Sequence, residues 1–206
     1  MIHVDISVML PVRDAEASVA PLVRSAVAVR ERVLARETGR ERPLAFELLA
    51  LDERSGDNTA SVLSVLHGQV PYLRTLQDLD RGAAIRSASR VARGDVWLVI
   101  DRPVDAELAG WAVAQVLGGR RAAIVPGEIL VVHRSVGVAV LRELAGGLAT
   151  AQRLVTRHLR HSGESPAFSP PDENGRVGRA IVFLRSQAGR VGLASLDRPW
   201  ARRRTG

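Results

Sequence analysis

Four short polar stretches carry the residue types that bind phosphate, base or a divalent cation. They are Arg13-Asp14-Ala15-Glu16, Asp52 to Asn58 (DERSGDN), Asp78-Leu79-Asp80-Arg81-Gly82 and Asp101-Arg102-Pro103-Val104-Asp105. Each follows an apolar run. Carboxylates so placed can accept hydrogen bonds from base or ribose donors, or hold a hard cation that bridges phosphates through oxygen ligands. Asp and Asn at such positions also form turns and cap helices, so a purely structural role stands beside the functional one. His158 and His161, three apart, can share a helical face as metal ligands or form an exposed basic turn at a helix end. Other chemistry is excluded by composition. Cys is absent, which removes thiolate metal sites, disulfides and a Cys nucleophile, and all 29 basic residues are Arg, which removes Lys chemistry.

The elements that must position these stretches are legible in the hydropathy pattern. Ile6 to Val12 is a short apolar run, followed by helical spacing at Val19, Leu22, Val23, Ala26, Val33 and Leu34. A charged loop from Glu37 to Pro43 leads into Phe46 to Leu51, and after Asp52 to Asn58 a second helical pattern takes Val62, Leu63, Val65 and Leu66. Tyr72 to Leu76 and Asp95 to Asp101 are the third and fourth strands, with a helix through Ile85, Ala88, Val91 and Ala92 between them. Apolar strands alternating with helices predict a mostly parallel α/β sheet covered on both faces, because a one-sided antiparallel sheet would alternate apolar and polar residues. Ligands of such sheets bind beyond the carboxyl ends of the strands, where the four polar stretches lie.

The later chain is patterned less strongly. Glu107 to Leu117 reads as a helix, Ala122 to Val125 and Ile129 to Val132 as short strands, and Val136 to Leu144 and Ala151 to Leu159 as helices. The Pro-, Ser- and Gly-rich stretch from His161 to Gly175 reads as a long loop, and Val177 to Leu193 as a final amphipathic helix. The expected organisation is a nucleotide half over residues 1–125, an acceptor-side region with a long loop over 126–175, and a C-terminal helix with an Arg-rich tail over 176–206.

The 206 residues, 46% hydrophobic and 25% charged, suit one domain with a sizeable core. No apolar stretch approaches the roughly 20 residues of a membrane span, and no basic segment precedes the first apolar run, so a cytoplasmic protein is expected. The net charge of +7 lies entirely in residues 176–206, where eight Arg stand against Asp197 alone. Arg198, Arg202, Arg203 and Arg204 beside Trp200 suit weak, salt-screened docking on an anionic membrane surface, and a solvated end is the alternative. Three Phe and one Tyr offer few stacking platforms for nucleic acid, which is not an expected partner.

Four ordered blocks resemble the family-2 glycosyltransferases of GT-A fold, including the polyprenyl-phosphate sugar synthases. They are Ile6 to Glu16 (ISVMLPVRDAE), Glu47 to Thr59 (ELLALDERSGDNT), Arg81 to Arg86 (RGAAIR) and Ala92 to Asp101 (ARGDVWLVID). The resemblance covers about the first 110 residues. It implies a Rossmann-like GT-A sheet, a nucleotide-diphosphate sugar as partner, Mg2+ or Mn2+ as cofactor, and inverting transfer to a lipid-phosphate, saccharide or other acceptor. Pro11, Arg13, Asp14 and Glu16 fall in the first nucleotide loop. Asp52, Glu53 and Ser55 fall in the family's Asp-Asp-Gly-Ser stretch, with Arg54 where the family has Gly, and Arg81 stands in the third block. Asp101 matches the first acid of the Asp-x-Asp metal motif, the second position is Pro103, and Asp105 is the next acid. Pro103 weakens the expected metal site because proline has no side-chain oxygen. Ala83 replaces the family's basic residue after Gly82. No catalytic base is assigned among Glu128, Glu143, Glu164, Asp172 and Glu173. The departures at Glu53, Arg54, Ala83 and Pro103 leave a second expectation open, a catalytically degenerate relative that keeps the fold as a binding or assembly module.

Overall fold

The computed structural model describes residues 3–169. In chain order these form β1 (Ile6–Val12), α1 (Val19–Arg36), β2 (Phe46–Asp52), α2 (Thr59–Gln69), β3 (Leu73–Leu76), α3 (Ala84–Val91), β4 (Val96–Val99), α4 (Ala106–Leu117), β5 (Ala122–Val125), β6 (Ile129–His133), α5 (Arg134–Leu141), α6 (Leu148–His161) and β7 (Ala167–Phe168). The seven strands make one sheet in the order β3-β2-β1-β4-β6-β5-β7. Strands β1 to β4 pair in parallel, with Ile6 opposite both Phe46 and Val96, whereas β6 runs antiparallel to β4 and β5. The expected mostly parallel α/β sheet is therefore present.

Its two faces explain why the strands read as unbroken apolar runs. Ile6, Val8 and Leu10 join Leu48, Leu98 and Val131 in a core covered by α1, α2 and α4. Met9 joins Leu49, Trp97, Val99 and Leu130 in a second core covered by α3, α5 and α6. Alternate residues of each strand go to opposite faces, and both faces are buried. Trp97 is fully buried and donates its indole N–H to the Gly94 carbonyl at 2.8 Å, and Trp111 packs against the first core, so both tryptophans are packing residues.

In the later chain the helix expected over Val136 to Leu144 is α5, which ends at Leu141, and a larger departure follows α6. The stretch beginning at His161 was expected to be loop, but α6 runs through His161 and Ala167–Phe168 pair in parallel with β5. A two-residue edge strand gives no periodicity from which to read it. The expected helix over 177–193, the loop from residue 170 onward and the Arg-rich tail lie outside the described residues. Among the described residues, no helix is long and apolar enough to cross a membrane.

Candidate nucleotide-sugar site

The central strand opens the site. Met9 accepts a hydrogen bond from the Ile100 N–H at 3.2 Å, so Pro11, two residues on, turns its backbone to the same side, past the last residue of β4. A proline is tolerated there because no partner strand asks for its missing N–H. β1 thus stays paired with β2 through Val12 while parting from β4 after Met9. This parting lies at the point where the chain order reverses from β2 on one side of β1 to β4 on the other, the place where open α/β sheets bind their ligands.

The loops after β1 and β2 are tied to each other across this end of the sheet. The Asp14 N–H donates to Ser55 Oγ at 3.0 Å, and the Gly56 N–H returns a bond to Asp14 Oδ1 at 2.8 Å. The Ala15 N–H donates to Thr59 Oγ1 at 2.8 Å, the Glu16 N–H to Asp57 Oδ2 at 3.0 Å, and the Asn58 side-chain amide to Glu16 Oε1 at 3.1 Å. Beneath them Asp52 is buried, accepting from both the N–H and the hydroxyl of Ser55. The Thr59 hydroxyl and the Glu16 N–H hold the Asp57 carboxyl below its ordinary range, against a smaller opposing effect of desolvation.

The third and fourth loops are fastened differently. Glu53 accepts the Ala84 N–H at 3.1 Å, fixing the start of α3, and the Leu79 N–H donates to the Asp52 carbonyl at 3.1 Å. Arg54 holds a left-handed φ of 52° and reaches Asp80 at 3.0 Å. Arg13 lies 3.4 Å from Asp14, and Arg81 is exposed beside Gly82, whose φ of 74° suits glycine. Asp101 is exposed and accepts from Arg102 Nε at 2.9 Å, while Asp105 caps α4 by accepting the Leu108 N–H at 2.9 Å. Arg102 is more basic than usual, chiefly through its bond to Asp101 and the attraction of that carboxylate, against partial burial and with a smaller contribution from Glu128.

These side chains do not by themselves enclose a divalent cation. Hard cations take oxygen ligands, and Mg2+ is commonly held by one or two carboxylates with waters and substrate phosphates making up the rest. Here Asp101 is bonded to a guanidinium, Asp105 is turned into a helix cap, and Pro103 between them has no side-chain oxygen. Among the described residues, no three His, Asp or Glu side chains are grouped to hold a metal. His158 and His161 lie in the last turn of α6, where His161 Nδ1 is 2.7 Å from the Arg157 carbonyl of the same helix.

The structure also brings in residues that sequence reasoning passed over. Gln152 of α6 is buried and clasps the β5–β6 turn, donating to the Val125 and Ile129 carbonyls at 2.9 Å each and accepting the Gly127 N–H at 3.0 Å. The Gly146 N–H donates to the Gly82 carbonyl at 2.8 Å, bringing the start of α6 against the third loop. A lone glutamine in a helix and a pair of glycines carry no long-range signal.

Comparison with family models and with curated protein sequences gave no match. Solved structures do match. Glucosyl-3-phosphoglycerate synthase from Mycobacterium tuberculosis, in complex with Mn2+, UDP and glucosyl-3-phosphoglycerate, superposes with a TM-score of 0.58 at 16% identity over 91% of this chain and 80% of that one. A mannosyltransferase from Pyrobaculum calidifontis, in complex with GDP-Man and Mn2+, gives 0.59 at 13% identity over 93% of this chain and 65% of that one. Mannosyl-3-phosphoglycerate synthase from Rubrobacter xylanophilus gives 0.58 at 17% identity over 97% and 79%. At these identities the likeness speaks for architecture, and the chain has the GT-A-like α/β fold of these glycosyltransferase neighbours.

Proposed function

We propose that this chain is a family-2-like glycosyltransferase that binds a nucleoside-diphosphate sugar beyond the carboxyl ends of β1 to β4 and transfers the sugar to a lipid-phosphate, saccharide or other acceptor. The observation that carries the reading is the parting of β1 from β4 after Met9, beside loops that are already bonded to each other. A preformed rim loses little entropy when a ligand arrives. In this reading residues 1–125 form the nucleotide half. Pro11, Arg13, Asp14, Glu16, Asp52, Glu53, Ser55 and Arg81 line the nucleotide side, Asp101 stands nearest the diphosphate, and the region from 126 onward faces the acceptor. The structural neighbours that carry UDP or GDP-Man support the ligand class.

A polyprenyl phosphate at the cytoplasmic leaflet is the acceptor we favour, since an anionic phosphate oxygen needs little help from a general base. The cluster Arg198, Arg202, Arg203 and Arg204 would contribute about 1 kcal/mol per residue near an anionic surface. Calorimetric titration of the full chain with uridine and guanosine diphosphate sugars, with and without Mg2+ or Mn2+, tests the donor. Saturable binding of one donor supports the reading, and no binding at millimolar concentration of any of them overturns it.

The second reading, a non-catalytic binding or assembly module, is favoured by Pro103 and by the capping role of Asp105. Substituting Pro103→Asp separates the two. Metal-dependent donor hydrolysis in the variant marks a weakened enzyme, whereas unchanged donor affinity and turnover mark a module.

A further inference from the structure

At the end of β4 the carboxylate of Asp101 is bonded to a guanidinium, Asp105 caps α4, and Pro103 between them has no side-chain oxygen. Arg102 follows Asp101 directly and precedes Pro103, so it occupies the middle of the stretch where the family resemblance puts its metal motif. Its Nε donates to Asp101 Oδ1 at 2.9 Å, and the side chain is 56% exposed. Among the described residues that bond is the one Arg102 makes, which leaves both terminal nitrogens of the planar fork to a ligand. A guanidinium held at Nε by a carboxylate is oriented as well as charged, and the remaining pair of N–H groups matches two oxygens of a phosphate.

The neighbouring loops repeat the construction. Arg54 is tethered to Asp80 at 3.0 Å and Arg13 to Asp14 at 3.4 Å. Arg54 is kept at a φ of 52°, where Gly would be unstrained, so its side chain is present at a conformational cost.

Resting on the nucleotide-binding reading above, we propose that Arg102, oriented by Asp101, neutralises the diphosphate of the bound nucleotide, so that nucleotide binding by this chain needs no divalent cation. The replacement is chemically balanced. Pro103 removes a metal ligand, and Asp101, no longer called on to coordinate, is used to aim the arginine.

Isothermal titration of the full chain with UDP and GDP, once in EDTA and once in Mn2+, tests the proposal on wild type, Arg102→Ala, Arg102→Lys and, as a charge-matched control on the exposed side of α6, Arg160→Ala. Circular dichroism melts establish that each variant is folded. The expected result is an affinity equal in EDTA and Mn2+, weakened about tenfold or more by Arg102→Ala, recovered in part by Arg102→Lys, which restores charge without the fork, and unchanged by Arg160→Ala. Binding that requires Mn2+ overturns the inference and leaves the nucleotide-binding reading standing. So does metal-independent binding that is unaffected by Arg102→Ala. Absence of nucleotide binding under both conditions overturns both.

Discussion

The two ends of the sheet use charge in opposite ways. At the amino ends of the strands, Glu47 of β2 is buried, with only 2% of its side chain exposed, yet it is fully partnered. It accepts from the Ser7 hydroxyl at 2.7 Å, the Arg93 N–H at 2.7 Å, Arg93 Nε at 2.9 Å and Arg74 Nη1 at 2.9 Å. Burial alone would raise its pKa, but the bonds from Arg93, Ser7 and Arg74 together outweigh that and hold the carboxyl below its ordinary value. At the carboxyl ends, Asp14, Asp80 and Asp101 are exposed, and each holds an arginine that remains open to water. One end spends its charges closing the fold, and the other keeps them where a ligand can reach. Removing charge should therefore cost stability at the first end and, at the exposed arginines of the second, binding.

The largest effect is expected at Glu47. Glu47→Ala orphans the Arg93 N–H and unpairs two arginines, and should lower unfolding free energy in urea by about 3 kcal/mol, since breaking a buried ion pair from one side costs about 3–5 and both arginines here are partly exposed. A loss under about 1 kcal/mol would show that the cluster is no more than a surface pair. The same group sets an acid dependence. Its folded pKa is depressed, so its stabilisation is present above the ordinary carboxylate pKa and is lost as pH falls through the folded value. Wild type should lose stability across that acid range with a steeper slope than Glu47→Gln, which a urea series at stepped pH would reveal.

Next in size is Gly94, which joins the same cluster through its N–H to Ser7 Oγ at 2.9 Å. A Cβ there would lie 2.6 Å from the Ser7 nitrogen and 2.8 Å from the Ile6 carbonyl carbon, both backbone atoms that cannot swing aside. Gly94→Ala should destabilise by about 2 kcal/mol, the cost of forcing packed elements apart. An unchanged melting curve would mean that β1 and the α3–β4 connection are looser than their bonds imply.

At the other end the effects shrink. Asp105→Ala removes the cap of α4 and should cost about 1 kcal/mol, or a fall in Tm of about 2–4 °C, with nucleotide affinity in EDTA unchanged. Loss of affinity without loss of stability would return Asp105 to the ligand side. Arg54→Gly is the smallest, because it exchanges an exposed ion pair for relief of a left-handed backbone; stability should move by no more than about 0.5 kcal/mol. A change well beyond that would place Arg54 among the groups that hold the fold.

Much of this architecture was legible from residue order. Ile6 to Val12, Phe46 to Leu51 and Val96 to Ile100 read as strands because both of their faces are buried, so no alternation interrupts the apolar run. The polar stretches after them were legible as loops for the converse reason. Glu47 was not legible as a cluster, since its partners lie 27, 40 and 46 residues away and nothing local in an acidic residue beside Phe46 announces them. Asp105 illustrates a different gap. An acid before a helix serves equally as metal ligand or N-cap, and the bond to Leu108 assigns it to the cap.

What the sequence by itself determined is the set of elements and the end of the sheet on which its polar loops fall, because strand periodicity and helix spacing are local consequences of burial on one face or two. The tertiary structure alone decided which distant groups meet, as in the pairing of Glu47 with Arg74 and Arg93. Parallel register puts Val12 beside Asp52 and parts β1 from β4 after Met9, and the bonds between Asp14 and Ser55 and between Gly56 and Asp14 stitch the first loops together across 41 and 42 residues. Such pairings depend on distances between segments far apart in the chain, which no local pattern of residue types contains.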